Sequence, residues 1–178
     1  VHGLERTRDS GGTLRTFTRK QIHFAYRHTL LGIDTAQGPA GAVREFIITS
    51  VDLKLRRADP DALRARLLEV MEYKKKSQPL KDNSAGCVFK NPTLATDLQG
   101  LAVAGQKVSA GMLIDKAGCK GMKVGGAEVS TTHGNFFVAK PWAKAADVIE
   151  LIRQVRARVE ATFGVRLQTE VVVWGADV

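Results

Sequence analysis

The sequence has no apolar run approaching the ~20 residues that a membrane-spanning helix requires, and no signal peptide opens it. Its two cysteines, Cys87 and Cys119, sit in unrelated contexts without metal-ligand spacing, which favours a reducing, cytoplasmic setting. His2, His23 and His28 have no acidic partner at metal spacing, so no metal is expected. Aromatic residues are only 6% of the chain and do not alternate with the basic ones, which argues against a nucleic-acid binder. No Gly-x-Gly-x-x-Gly is present. The glycines between 118 and 126 follow a helical pattern instead of opening one, and Gly11-Gly12 reads as a hairpin turn. Internal repeats and low-complexity tracts are absent.

What is there is positive charge on a chain of ordinary globular composition. The 178 residues carry a formal charge of +9 and 44% hydrophobic residues, enough for a packed core. The basic side chains fall in three stretches, 6–27, 56–81 and 153–166. Most of this reads as solvated helix surface, and the excess suits an anionic partner.

The elements alternate. Short alternating runs up to Phe24 predict strands, and 32–42, rich in Gly, Ala, Pro and Asp, reads as a linker. The β-branched run 45–55 predicts a strand entering a new sheet. Asp59 caps a helix with Pro60 at its first position, and Leu63, Leu67, Val70 and Met71 form its apolar stripe before Lys74-Lys75-Lys76. A second helix is expected over 109–117 with Gly118 as its stop, then short strands at 127–129 and 135–139. The longest helix should cover 144–163, with Val148, Ile149, Ile152, Val155, Val159 and Phe163 at helical spacing and Gly164 ending it. A final strand is expected over 165–174. The order predicts an α+β fold, a layered domain with a mixed sheet and packed helices.

The most informative stretch is Ser84-Ala85-Gly86-Cys87-Val88-Phe89-Lys90-Asn91-Pro92. It sets a thiol between small residues, where a ligand can approach the backbone, and follows it with a cation and a two-sided amide. The same run also fits a structural cysteine in a glycine-containing turn.

This stretch resembles the active-site signature of the UDP-N-acetylenolpyruvoylglucosamine reductase family, with Cys87 where serine is usual. Phe24-Ala25-Tyr26-Arg27, Gln78-Pro79, Leu113 to Gly121, Gly125 to Ser130, His133-Gly134-Asn135-Phe136 and Leu167-Gln168-Thr169-Glu170-Val171 resemble further family segments, in family order. The resemblance implies a flavoenzyme in which NADPH reduces FAD. Hydride then passes to the enolpyruvyl ether of UDP-N-acetylglucosamine, in peptidoglycan synthesis. It assigns proton donation to Cys87, and stabilisation of the carbanion beside the carboxylate to Arg27 and Glu170. An ordinary thiol, with pKa about 8.5, is mostly protonated at neutral pH and is a stronger acid than serine. Glu170 either donates to the substrate carboxylate when protonated or orients Arg27 when ionised.

By the same resemblance, substrate contacts fall to Tyr26, Lys74, Gln78, Lys90, Asn91, His133 and Asn135. Lys74 would meet the pyrophosphate, although it also reads as one of three lysines on a solvated helix end. His133 also fits a satisfied structural histidine. Cys119 reads as structural. The family's phosphate-cradling loops lie upstream of Phe-x-Tyr-Arg, and none precedes Phe24. The chain is therefore expected to match the C-terminal portion of such a reductase. Residues 1–42 would be the tail of the FAD-binding domain with a linker, and 43–178 the substrate-binding domain. No tyrosine lies between Arg27 and Phe46, as in the family's shorter branch. Two other readings are a standalone nucleotide-sugar binding module and a basic nucleic-acid binder.

Overall fold

The computed structural model describes residues 1–6, 12–26, 28–31, 46–98 and 100–175. The chain forms two compact units, Val1–Ala58 and Asp59–Val178.

In the first unit, β1 (His2–Arg6) pairs antiparallel with β2 (Gly12–Thr16) on one side and β5 (Phe46–Ser50) on the other. Residues 46–50, expected to open a new sheet, instead extend the first one, and 51–59 have no regular structure. The boundary between the units accordingly falls after Ala58. Alternation and β-branching specify an extended segment but not the strand it pairs with. A second hairpin joins β3 (Ile22–Ala25) to β4 (His28–Leu31). Phe17, Ile22 and Leu31 form a small core, with Phe46 set edge-on to Phe17 at 5.2 Å between ring centres. Of the expected Gly11-Gly12 turn, Gly12 opens β2 while Gly11 lies outside the described residues, as does the linker 32–42.

The second unit begins with α1 (Pro60–Ser77). Asp59 accepts a hydrogen bond from the Asp61 N–H at 3.2 Å, Pro60 occupies the first turn, and three lysines sit at the C-terminal end, where the helix dipole favours cations. The expected apolar stripe of α1 is not buried. Leu63, Leu67 and Met71 are exposed, and no residue of the helix is fully buried. Charged neighbours interrupt that face, and Arg66–Glu69 (2.6 Å) and Glu72–Lys75 (3.7 Å) pair along the surface. Caps and short-range pairs therefore take the place of a packed seam.

The four-stranded sheet of this unit has the order β6-β9-β8-β7, from β6 (Ser84–Cys87), β7 (Lys123–Val124), β8 (Ala127–Val129) and β9 (Phe136–Ala139). Each pair of neighbouring strands runs antiparallel. Two helices cover it. α2 (Ala110–Lys116) starts with the Ser109 hydroxyl accepting from the Met112 N–H, and α3 (Ala145–Phe163) ends at Gly164 in the left-handed region at φ 67°. The α3 stripe buries Leu151, Ile152, Val155 and Val159 against Leu113, Ile114, Val129 and Phe89. At the start of α3, Asp147 accepts from the N–H groups of Lys144 and Gly126, both at 3.0 Å, which holds its carboxyl below the usual range. A side chain at Gly126 would meet the Ala143 backbone at 2.6 Å, so only glycine lets the β7–β8 turn lie this close.

The α+β class expected from the sequence is the one observed, with helices layered on a sheet. Residues 165–174 differ from expectation. They form no strand: Thr169 makes an isolated bridge with Phe89, Leu167 is buried in the core, and backbone bonds to Val88 and Lys90 hold the segment. Leu151 is fully buried between α2 and the sheet, so Leu151→Ala should destabilise the chain by about 2–5 kcal/mol. Urea unfolding would measure this, and a loss under 1 kcal/mol, within the range of a surface change, would contradict the packing described.

Candidate active site

β6 reaches Cys87 through a bulge. Ser84 pairs with Val138 and Cys87 with Phe136, so β6 spends one residue more than β9 over the interval. Gly86, at φ 87°, absorbs the irregularity, and the space around it is open. The constraint there is conformational and not steric. A bulge of this kind re-aims the following side chain, here the half-buried Cys87.

Beyond Cys87 the chain is gripped from both sides. The Val88 N–H donates to the Asn135 carbonyl (2.9 Å) and the Phe89 N–H to Asn135 Oδ1 (2.9 Å). Asn135 Nδ2 donates back to the Phe89 carbonyl (2.8 Å). On the other edge, the Lys90 N–H donates to the Gln168 carbonyl and the Glu170 N–H to the Val88 carbonyl, both at 2.8 Å. These bonds set Glu170 across from Val88, one residue from Cys87. Cys87 and Glu170, far apart in sequence, thus lie on two segments joined at the Phe89↔Thr169 bridge.

The other expected site residues divide by role. Asn135, expected to contact substrate, is 2% exposed, and its amide clamps the backbone of Phe89. His133 is half-buried, accepts the Asn135 N–H on Nδ1 at 3.2 Å and stacks edge-on to Phe136 at 4.8 Å. Burial holds its imidazolium form down. The Ser130 hydroxyl takes the N–H groups of Thr132 (3.2 Å) and His133 (3.4 Å), which shapes the loop that carries both. Asn91 remains exposed while its Oδ1 accepts the Ala110 N–H at 2.9 Å, tying the signature to the start of α2.

Lys74 is exposed on the last turn of α1. Gln78 caps that helix by donating its N–H to the Lys74 carbonyl at 2.9 Å. Tyr26 belongs to the first unit, exposed in the turn after β3. Arg27 lies outside the described residues. Cys119 is fully buried, its thiol pushed up by desolvation, as a structural cysteine should be. Among the described residues no cluster of three or more His, Cys, Asp or Glu is placed to hold a metal ion, and no helix is long and apolar enough to cross a membrane.

Two residues escaped the sequence reading. Arg156 and Arg166 line a polar hollow with Lys90, yet both lie in a basic stretch that reads as solvated helix. Position on the α3 face beside the signature was the missing information.

The fold is shared with a solved reductase. The structure is similar to the crystal structure of UDP-N-acetylenolpyruvylglucosamine reductase from Thermus caldophilus, with a TM-score of 0.64 and 33% identity, over 97% of this chain and 52% of that one. A family model for the C-terminal domain of UDP-N-acetylenolpyruvoylglucosamine reductase matches residues 78–174. The chain belongs to that family. It is 41% identical to the reductase of Heliobacterium modesticaldum over 94% of this chain and 46% of the relative. It is 38% identical to that of Desulfosudis oleivorans over 98% of this chain and 50% of the relative. The chain thus spans about half the length of the curated relatives it matches.

A dinucleotide cofactor needs backbone N–H groups free to cradle its pyrophosphate. In the glycine-rich turn at 125–126 the Gly126 N–H is already bonded to the Asp147 carboxylate, which would also repel a phosphate. This turn does not fit FAD or NADPH.

Removing the Asn135 amide should leave both polar groups of buried Phe89 without a partner. Asn135→Ala is expected to cost about 1–3 kcal/mol per stranded group, read from urea unfolding. An unchanged midpoint would exclude the clamp. The His133 ring, held neutral, adds a pH dependence. Its folded pKa lies below the ordinary 6.5, so its contribution is present above that value and is lost as pH falls through the folded pKa. Melting temperatures should therefore fall below pH 6.5 more in the wild type than in His133→Asn. Parallel curves for the two proteins would rule this out.

Proposed function

We propose that this chain is the substrate-binding part of a reductase that converts the enolpyruvyl ether of UDP-N-acetylglucosamine to UDP-N-acetylmuramate, for peptidoglycan synthesis in the bacterial cytoplasm. The observation that carries this reading is the pairing of Glu170 with the Val88 carbonyl, directly after Cys87, within segments that match the family signature.

Reduction of the alkene leaves negative charge on the carbon beside the substrate carboxylate. Cys87 then delivers its Sγ proton to that carbon, and the resulting thiolate recovers a proton from solvent. Glu170, with Arg27, stabilises charge at the carboxylate end. A glutamate held by a backbone bond on a rigid edge is pre-positioned for this task, so little reorganisation is needed when charge appears. Lys74, Gln78, Lys90 and Asn91 supply cations and amide groups along the substrate, and the family resemblance adds Tyr26 to the substrate contacts. FAD and NADPH serve the reaction from the further length of chain that the relatives carry. Within the described residues, the glycine turn offers them no cradle.

The test is made in a complete reductase of this family carrying this segment. Cys87→Ser should keep most of the turnover, measured as NADPH consumption in the presence of substrate, because a hydroxyl at this position still donates. Cys87→Ala should lose about 10²–10⁴-fold in kcat with KM little changed and an unaltered melting temperature. Full turnover in Cys87→Ala would reduce the residue to packing.

A further inference from the structure

Outside the Cys87–Glu170 edge, a basic hollow of about 370 Å³ is bordered by Lys90, Arg156, Arg166 and residues 167–169. It is built, not incidental. The Arg156 Nε donates to the Leu167 carbonyl at 3.0 Å, and its guanidinium lies 6.0 Å from the centre of the Phe89 ring. The Lys90 backbone is fixed beside the hollow by its N–H bond to the Gln168 carbonyl at 2.8 Å. Arg156 is thereby oriented with its terminal amino groups left for another acceptor.

Three cations border this hollow. Among the described residues no carboxylate forms an ion pair with Lys90, Arg156 or Arg166, while other surface cations, such as Lys120 with Asp115 at 2.7 Å, are paired. Arg156 is pushed below its ordinary value, first by burial and then by the nearby charge of Arg166, with Glu160 opposing. A half-buried arginine crowded by a like charge gains most from a ligand that brings several negative charges at once.

We propose that Lys90, Arg156 and Arg166 form a binding site for a phosphoryl group, with the two guanidiniums gripping its oxygens and Lys90 adding a point charge. A single carboxylate would leave two of the three charges unbalanced, whereas a diphosphate matches them. The site stands on its own geometry and does not depend on the reductase reading. Lys90 does connect the two, since it lies three residues beyond Cys87 on the same gripped segment.

Inorganic pyrophosphate is the probe, titrated into the 178-residue chain at constant ionic strength while the amide signals of Gln168 and Thr169 are followed by NMR. These signals should move saturably, and Arg166→Gln, a change at an exposed residue, should weaken the affinity about tenfold. Arg156→Lys keeps a charge but loses the tethered fork, and should also weaken binding. UDP-N-acetylglucosamine added to the saturated protein separates two sources of the same chemistry. Displacement of pyrophosphate would assign the hollow to the diphosphate of the nucleotide sugar, and retention would assign it to a separate phosphate ligand. Either outcome upholds a phosphoryl site. The proposal is overturned if the signals move equally in the wild type and both variants, or if sodium chloride at matched ionic strength reproduces the shifts.

Discussion

The grip on Phe89 is the interaction on which the second unit depends. One buried asparagine satisfies both backbone groups of Phe89, and the opposite edge of the same segment binds residues 168–170. The Phe89 side chain fills the core against Phe137 at 6.0 Å between ring centres. Core packing, the attachment of the C-terminal segment and the position of Cys87 are therefore one mechanical system. A buried amide left half-paired costs more than it contributes when complete, so the arrangement is all-or-none. That is why a short loop such as 130–135 carries a serine, a histidine and an asparagine that all serve internal bonds.

Flexibility and rigidity are divided along the site. Cys87 follows a glycine whose backbone conformation most residues avoid, and this irregularity breaks the regular ladder between Ser84 and Cys87. Two residues later the ladder is fully satisfied. The chain thus holds its backbone tightly immediately after the bulge that sets the direction of the Cys87 side chain.

Charge is distributed with a similar logic. Most cations of α1 lie on solvated surface, and several pair with acids three residues away, where they add little stability. The cations beside the signature are fewer but border a common hollow. A net charge of +9 therefore says less than its placement: one hollow concentrates charge that the rest of the surface disperses.

Local signals in the sequence determined the helices. The apolar period of 144–163, Ser109 before α2 and the glycines at 118 and 164 each act within a few residues, so their effect is legible without a partner. The sequence also carried the chemistry of the candidate site, through Cys87, Lys90, Asn91 and Glu170 in segments that resemble one family. Only the tertiary structure decided which extended segments became strands. Residues 46–50 joined the first sheet, 84–87 became an edge strand through a bulge, and 165–174 kept a single bridge. It alone showed the Asn135 amide bonded to the Phe89 backbone, and drew Arg156 and Arg166 out of a basic run into a common hollow with Lys90. The reason is physical: helical bonds and caps close within one or two turns of chain, whereas strand pairing, burial of an amide and the meeting of distant charges are set by residues that become neighbours only after folding.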